Sequence, residues 1–594
     1  MSFLIRVPKR AEGGYLEVPE VGNWQAGRAQ TAIYIRESEG GNQVQRTQAG
    51  AWSYFAIGDF IATAAGYPSL LDFCQDFSPP KITTAGGNFY LIAIGQDGGT
   101  VRVFNSLLGI LPVYWFEDSD AYWIASRADA IVRASGADFR LDKKYLIEHL
   151  LFGYGFQDAT LFAGIRLLPA NHFIEIKAGQ LERRPHTRIT DWYVDDPSPW
   201  KAALEPLSEL FIERAAEYLP QEPYYSSLTG GLDGRTLLAI GLGLGRQITT
   251  YSYGLPTDKD VYIPQQIAQD LGIPYQPFLL DERFAKEHFL DHARRGNALA
   301  EGHLRFSRSA YHFLSERLKA QTRHLVSGNF GSELMRTMRG AGNVISPAAL
   351  TLFEAKTEAE IAAKLAAHPR LRFLRLDELR PELEELIEEC ILYRKNLDRG
   401  LSLNQQFYVY MLEEVFRKYF GAEIVLEQHY FASRTPFLDA AFIQALFKTE
   451  LAGCNAAYRE DSPFGRYKGQ VLYPHIIKKT FPALLKHKLD REYAPIDFLS
   501  LIGKARIAYG YLRKRFAQRG RDLSVPDYGE RLFADNRQAL AQIKSDYPFM
   551  DQPAFADFMN SSKWKAEFVH FNLYISLLDY LERVFQSLSN VKLD

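Results

Sequence analysis

The chain has 594 residues, with 69 Lys and Arg against 71 Asp and Glu and a formal net charge of −2. At roughly 100–200 residues per domain this length implies two to four domains, and 47% hydrophobic with 24% charged residues excludes a disordered tail or a fibrous repeat. Near-neutral charge excludes a surface coated in positive charge for nucleic acid, and only three cysteines, Cys74, Cys390 and Cys454, exclude a disulfide scaffold or a four-cysteine zinc site. The opening MSFLIRVPKR is too short for the core of a secretion signal. No run reaches the roughly 20 apolar residues of a membrane helix; TLLAIGLGLG at 236–245 comes nearest. The expectation is a soluble, cytoplasmic protein without a membrane span.

The first 200 residues read as mostly β. YLEV, AIYIR, FYLIAIG, TVRVFN, VYWF and AYWIAS are short alternating or apolar runs between Gly, Asp and Ser turns. Helical stretches fall near 60–75 and 142–152, and HFIEIKAGQLERR (172–184) reads as a hairpin turning on Ala178-Gly179. In WYVDDPSPWKAAL, acids, two prolines and a new helix predict a domain boundary near 197.

From 200 onward the period changes. A helix at 198–219 leads to the strand YYSSL, a glycine turn and the helix GRTLLAIGL. ITTYSYG, IPQQIAQDLG and PYQPFLL follow as strand, helix and strand, then a long helical stretch and the apolar segment HLVSGNFG at 324–331. Strand alternating with helix predicts a parallel sheet covered on both faces. The remainder, 350–594, is largely helical, so the chain is read as a multi-domain α/β protein. The segment GKARIAYGYLRKRFAQRGR (503–521) holds seven basic residues and no acid. Its first reading is a solvated helix face, with an acidic peptide, a nucleic acid or a membrane surface as alternatives.

SSLTGGLDGRTLLA (226–239) is the most informative stretch. Adjacent glycines let a backbone approach phosphate closely, and the helix N-terminus behind them aims free N–H groups at it. Asp233 in that turn can hold Mg²⁺, which bridges phosphates and takes only one or two carboxylates. The same pattern also serves as a tight strand-to-helix turn with an acidic cap. It is not a Walker loop, because no Gly-Lys-Ser/Thr follows, and GLGLGR (241–246) lacks the last glycine of the dinucleotide fingerprint and reads as a helix end.

LTGGLDGR (228–235) resembles the LSGGLDSS pyrophosphate loop of the asparagine synthetase family. YSYGLPTDKDVYIPQQIAQDLGI (251–273), SGNFGSEL (327–334) and SRTPFLDAAFIQALFK (433–448) are similar to that family's following strand and helix, its SGEGSDEL turn and its R-x-P-F-L-D segment, in the same order and spacing. In the N-terminal half, GNFYLIAIGQDGGTVRVFNSLLGILPVYW (87–115) and TLFAGIRLLPANHF (160–173) resemble the family's glutaminase domain. The resemblance implies a glutaminase-like α+β sandwich of Ntn-hydrolase type over 1–197. It implies an adenine-nucleotide α-hydrolase-like parallel sheet with many helices over 198–594, the last stretch from about 500 being a helical extension.

It further implies ATP and Mg²⁺ as cofactors. Leu228, Thr229, Gly230, Gly231, Asp233, Gly234, Arg235, Ser252, Gly254 and Gly328 are expected at ATP and pyrophosphate, and Asp233 and Glu333 at the metal. Glu333, Lys488 and Arg491 are the expected catalytic residues. Arg235 is expected as a forked donor to phosphate.

The departures are equally specific. Glutamine-hydrolysing members carry Cys after the initiator Met, where this chain has Ser2; the acid of D-G-x-F is Gly86, and no NGEIYN-like loop is visible. The second serine of the loop is Gly234; an ungapped comparison of SGNFGSEL puts Ser332 at the family's second Mg²⁺ aspartate, whereas one inserted residue puts Glu333 there and Phe330 at the catalytic base. The N-terminal domain is therefore expected to be non-hydrolytic, as in β-lactam synthetase and lasso-peptide cyclases.

The implied activity is ATP-dependent, AMP-forming amide synthesis on a small-molecule or peptide carboxylate and an amine, with a peptide-binding or carrier partner and a homodimer left open. The alternatives are a lasso-peptide cyclase forming a macrolactam and a non-catalytic nucleotide- or partner-binding member.

Overall fold

The computed structural model describes residues 2–9, 24–26, 31–36, 44–339, 344–460, 463–491, 493–517 and 527–593. The strand expected at YLEV lies outside them. Among the described residues the N-terminal part builds two antiparallel sheets. One holds β1 (Ser2–Pro8), β2 (Trp24–Ala26) and β3 (Ala32–Arg36), with β8 (Tyr114–Glu117), β9 (Ala121–Ala125) and β11 (Arg166–Leu167), in the order 11-8-9-1-3-2. The other holds β4 (Val44–Ala49), β5 (Trp52–Gly58), β6 (Phe89–Gly95), β7 (Val101–Asn105), β12 (His172–Lys177) and β13 (Gln180–Pro185), in the order 13-12-7-6-5-4.

The period of two in β6 decides how these layers pack. Tyr90, Ile92 and Ile94 join the core that holds Phe3, Ile5 and Ile124 of the facing sheet. Phe89, Leu91 and Ala93 point the other way, onto a separate cluster with Phe73 and Ile82. A strand buried on both faces reads as a continuous apolar run, which is why FYLIAIG shows no alternation. The hairpin of β12 and β13 turns on Ala178 (φ 50°) and Gly179 (φ 72°); two left-handed residues match the twist of the flanking strands. The helix Lys143–Phe152 starts where Asp142 accepts from the Tyr145 N–H at 3.2 Å and stops at left-handed Gly153. Near 60–75, Gly66 at φ 77° splits the expected helix into a 3₁₀ turn, Thr63–Ala65, and the helix Leu70–Cys74.

After the helix Trp200–Tyr218 comes a parallel sheet of β14 (Tyr224–Ser227), β15 (Ile248–Gly254), β16 (Tyr275–Leu279), β17 (His324–Val326) and β18 (Ala432–Arg434), in the order 16-15-14-17-18. Every pairing in it is parallel. The chain winds outward from β14 on one side and continues from β17 on the other. The order therefore reverses between β14 and β17, and the crevice beyond their carboxyl ends is where open α/β sheets take ligands.

Contacts from β18 are among those that bind the halves. Arg434 at the end of β18 grips the Asp59 carboxylate through Nε (2.7 Å) and Nη2 (2.9 Å), and Asn88 Nδ2 donates to the Ser433 carbonyl at 3.0 Å. At the far end of the chain, β19 (Val591–Lys592) pairs in parallel with β10 (Phe139–Arg140). The helix Phe568–Ser587 is largely buried, and its Ser576 carbonyl accepts from Asn297 Nδ2 at 2.8 Å. The residues after 500 are thus woven into both halves. No helix of the described residues is long and apolar enough to cross a membrane.

Candidate functional site

The turn after β14 and the turn after β17 meet at the switch point, and glycines let them touch. A Cβ on Gly328 would lie 2.7 Å from the Gly234 nitrogen and 2.8 Å from the Asp233 Cβ. One on Gly331 would lie 2.5 Å from Asp233 Oδ1. At Gly234 a Cβ would run into the Ser227 carbonyl, so the position that carries serine in the resembling loop has no room for a side chain here.

This contact brings Asp233 and Glu333 together. Burial pushes the Asp233 carboxyl above its ordinary pKa, against hydrogen bonds from Tyr473 and Ser332 and the charge of Arg336. Ser332 Oγ donates to Asp233 Oδ2 at 2.8 Å, and the Tyr473 hydroxyl donates to Oδ1. Burial also raises Glu333; Arg336 opposes the shift and the Asp233 charge adds to it. Two carboxylates that destabilise each other's charged form, with their hydrogen-bond donors only partly compensating, suit a divalent cation. Beside them the Ser327 Oγ is buried without a hydrogen-bond partner among the described residues. The donor set fits Mg²⁺.

The other expected residues divide. Thr229 is exposed at the turn, with its Oγ1 accepting from the Gly231 N–H at 3.3 Å. The Gly230 N–H is spent on Asp260 Oδ1 at 2.9 Å. Leu228 is a core residue whose N–H continues the sheet to the Tyr251 carbonyl at 2.8 Å. Ser252 is buried and hydrogen-bonds the Tyr275 hydroxyl at 2.6 Å. Gly254 ends β15 at φ 147°, against Asp258.

Arg235 corrects the expectation. It is fully buried, and its guanidinium donates to the carbonyls of His487 (2.5 Å) and Lys488 (3.1 Å), away from the turn's outer face. Burial pulls its pKa down to about 10. Its charge braces the segment 487–491 against the helix Asp233–Gly243 and is not presented to phosphate.

That brace sorts the late cations. The Lys488 side chain is exposed. Arg491 Nη1 donates to Gln470 Oε1 at 3.2 Å. Burial lowers the Arg491 pKa, but Tyr493, Asp490 and, further off, Asp233 outweigh it and hold the guanidinium above its ordinary value. Of the late cations it is Arg491 whose charge registers that of Asp233.

Phe330 cannot serve as a base. Its backbone sits at φ 74°, an outlier for a bulky residue. Its ring is fully buried between Phe416 and Phe420, with centroids 4.9 and 5.0 Å away. Arg434 and Asp439, flanking the PFLD turn, are structural. Arg434 holds Asp59, whereas Asp439 caps Phe442 (2.9 Å) and accepts from Arg214 Nη2 (2.6 Å).

Sequence reasoning missed Tyr473, Arg336 and Asp260. Asp260 had a signal, two residues after Asp258 behind the Gly-Leu-Pro turn; a lone tyrosine 240 positions from Asp233 had none.

A Cβ on Gly86 would lie 2.8 Å from the Ala64 Cβ and 3.0 Å from the Tyr218 ring, so the position has no room for a side chain. Ser2 opens β1 opposite Arg36 of β3.

Antiparallel sandwich and switch-point sheet together define a two-part α/β protein. Residues 69–187 match the family of glutamine amidotransferase domains, a match that begins well past Ser2. No curated protein matches the chain.

Among solved structures, the glutamine phosphoribosylpyrophosphate amidotransferase from B. subtilis complexed with ADP and GMP aligns at 12% identity and a TM-score of 0.18. The alignment covers 44% of this chain and 54% of that one, so the chain spans about half the length of that enzyme. A structure titled as the allosteric regulatory enzyme of purine biosynthesis aligns at 11% identity and a TM-score of 0.20, covering 56% of this chain and 70% of that one. Likeness this loose says nothing of activity. The N-terminal part is a glutamine amidotransferase-type domain.

Proposed function

We propose that the chain is an ATP-dependent, AMP-forming amide synthetase of the asparagine synthetase type, working without glutamine hydrolysis. A substrate carboxylate attacks the α-phosphate of ATP, pyrophosphate leaves, and an amine displaces AMP to form the amide. The observation that carries this reading is the convergence of Asp233 and Glu333 at the switch point of the parallel sheet, held by the glycine contacts at 328 and 331.

Asp233 and Glu333 would hold Mg²⁺, which would supply charge neutralisation for the phosphates. Tyr473 and Ser332 orient Asp233, the glycines let the two turns meet, and Arg491 would add positive charge from the neighbouring segment. The amidotransferase-type domain acts as a scaffold, because Gly86 and Tyr218 fill the place of its acid.

The test is calorimetry of ATP binding with and without Mg²⁺, on the wild type and on Asp233→Ala. Mg²⁺-dependent binding that the substitution abolishes supports the reading; a wild type that binds no ATP overturns it. A second reading, a nucleotide-binding member without chemistry, is favoured by the buried Phe330 at the base position. Pyrophosphate release with any carboxylate substrate would sink that second reading.

A further inference from the structure

The turn after β14 is short of phosphate ligands. Its Gly230 N–H is held by Asp260, its Gly231 N–H leans on Thr229, Gly234 offers no hydroxyl, and Arg235 is turned inward onto two carbonyls. Asp260 and Asp490 add negative charge on the Gly230 side, where a Cβ would lie 3.2 Å from the Asp490 Cβ. A polyphosphate laid on this turn would lie beside Asp233, Asp260 and Asp490, so a cationic side chain close by would strengthen its hold.

The segment after β17 supplies one. It is clamped on several sides. The Tyr408 hydroxyl donates to the Glu333 carbonyl at 3.0 Å and also to the Arg336 carbonyl. Gly453 and Gly469 press directly against the backbone of Met335 and Arg336, where a Cβ on either would collide. With its backbone fixed, Arg336 keeps a side chain that is 38% exposed, its Nη2 4.0 Å from Glu333 Oε1. That distance is a loose ion pair, not a closed fork, so the guanidinium keeps donors free beside the acid pair.

We infer that Arg336 is a phosphate-binding residue of this site, adding a side-chain donor to those of the glycine turn, together with Arg491. The inference rests on the nucleotide reading above and deepens it. The site would then recognise polyphosphate by two arginines and a metal, and only secondarily by backbone N–H groups.

The experiment is calorimetry with three probes, MgATP, inorganic pyrophosphate with Mg²⁺, and adenosine, on the wild type, Arg336→Met and Arg336→Lys. Loss of a charge-assisted hydrogen bond predicts an affinity for MgATP and pyrophosphate about ten- to a hundredfold lower in Arg336→Met. Arg336→Lys should recover part of it, and adenosine binding should be unchanged. Equal MgATP binding by wild type and Arg336→Met overturns the inference while leaving the nucleotide reading intact. A matching loss for adenosine also overturns it, because the residue then acts on the fold of the site. If the wild type binds none of the three, the nucleotide reading falls and takes this inference with it.

Discussion

Gly328→Ala isolates the contact on which the candidate site depends. The added methyl would lie 2.7 Å from the Gly234 nitrogen, 2.8 Å from the Asp233 Cβ and 2.9 Å from the Asp233 carbonyl carbon. Carbon atoms pack best at about 3.5–4.0 Å, so the two turns must part by roughly 0.7 Å or more. None of the three neighbours is the free end of a side chain, so nothing can swing aside. Overpacking of this kind costs about 1–3 kcal/mol. The same displacement moves Asp233 relative to Glu333, and misplacement on the order of 1 Å costs about a hundredfold in a positioned reaction. Urea denaturation gives the stability, and calorimetry with MgATP gives the site. Gly99→Ala, with nothing within 4 Å of its Cβ, is the control and should stay within about 0.5 kcal/mol of wild type. A Gly328→Ala protein as stable as that control, binding MgATP like the wild type, would refute the close approach of the two turns.

Burial raises the Glu148 carboxyl from 4.5 to about 8. An acid whose folded pKa is raised binds more protons folded than unfolded across that window, so its contribution to stability falls as pH rises from about 4.5 to about 8. Glu148→Gln should flatten the slope in chemical denaturation measured across that range; an unchanged slope refutes the assignment. Asp59→Ala leaves the part-buried Arg434 guanidinium with the Tyr218 carbonyl alone and should cost about 1–3 kcal/mol in urea melts. A loss under 1 kcal/mol would show that the pair does not hold the halves together. Phe330→Ala leaves a cavity among Phe416 and Phe420 and should cost about 3–5 kcal/mol; no loss of stability would contradict its place in the core. Ser2→Ala should leave MgATP binding unchanged and glutaminase activity absent, as in the wild type, by an ammonia-release assay; measurable glutamine hydrolysis in the wild type would refute the scaffold role.

What the sequence disclosed follows from how local each signal is. FYLIAIG, the Ala178-Gly179 hairpin and the alternation of strand and helix after 200 are set within a few residues of chain, and they form as read. That Asp233 and Glu333 share a site was expected only from the resemblance of LTGGLDGR and SGNFGSEL to two turns of the asparagine synthetase family. Arg235 misled because a residue next to a phosphate-type loop looks like a ligand. Its side chain is claimed by the carbonyls of 487 and 488, more than 250 positions away. Tyr473 was silent for the same reason: its contact with Asp233 joins segments 240 positions apart, which no period or spacing encodes. The basic segment 503–521 was read as a solvated face, and Lys504 and Arg506 are exposed on the helix Leu501–Ala517; 518–521 and the side chains of 511–517 lie outside the described residues.

The pairing of β19 with β10 sets a timetable for synthesis. Asn590 Nδ2 donates to the carbonyl of Val132, 458 positions earlier in the chain. At about 5–20 residues per second, a ribosome leaves that edge without its neighbour for roughly 20–90 s. Folding of the first half therefore cannot finish when that half emerges. A nascent chain stalled after the parallel sheet would carry an open strand edge that the complete protein hides, and would be the species most in need of a chaperone.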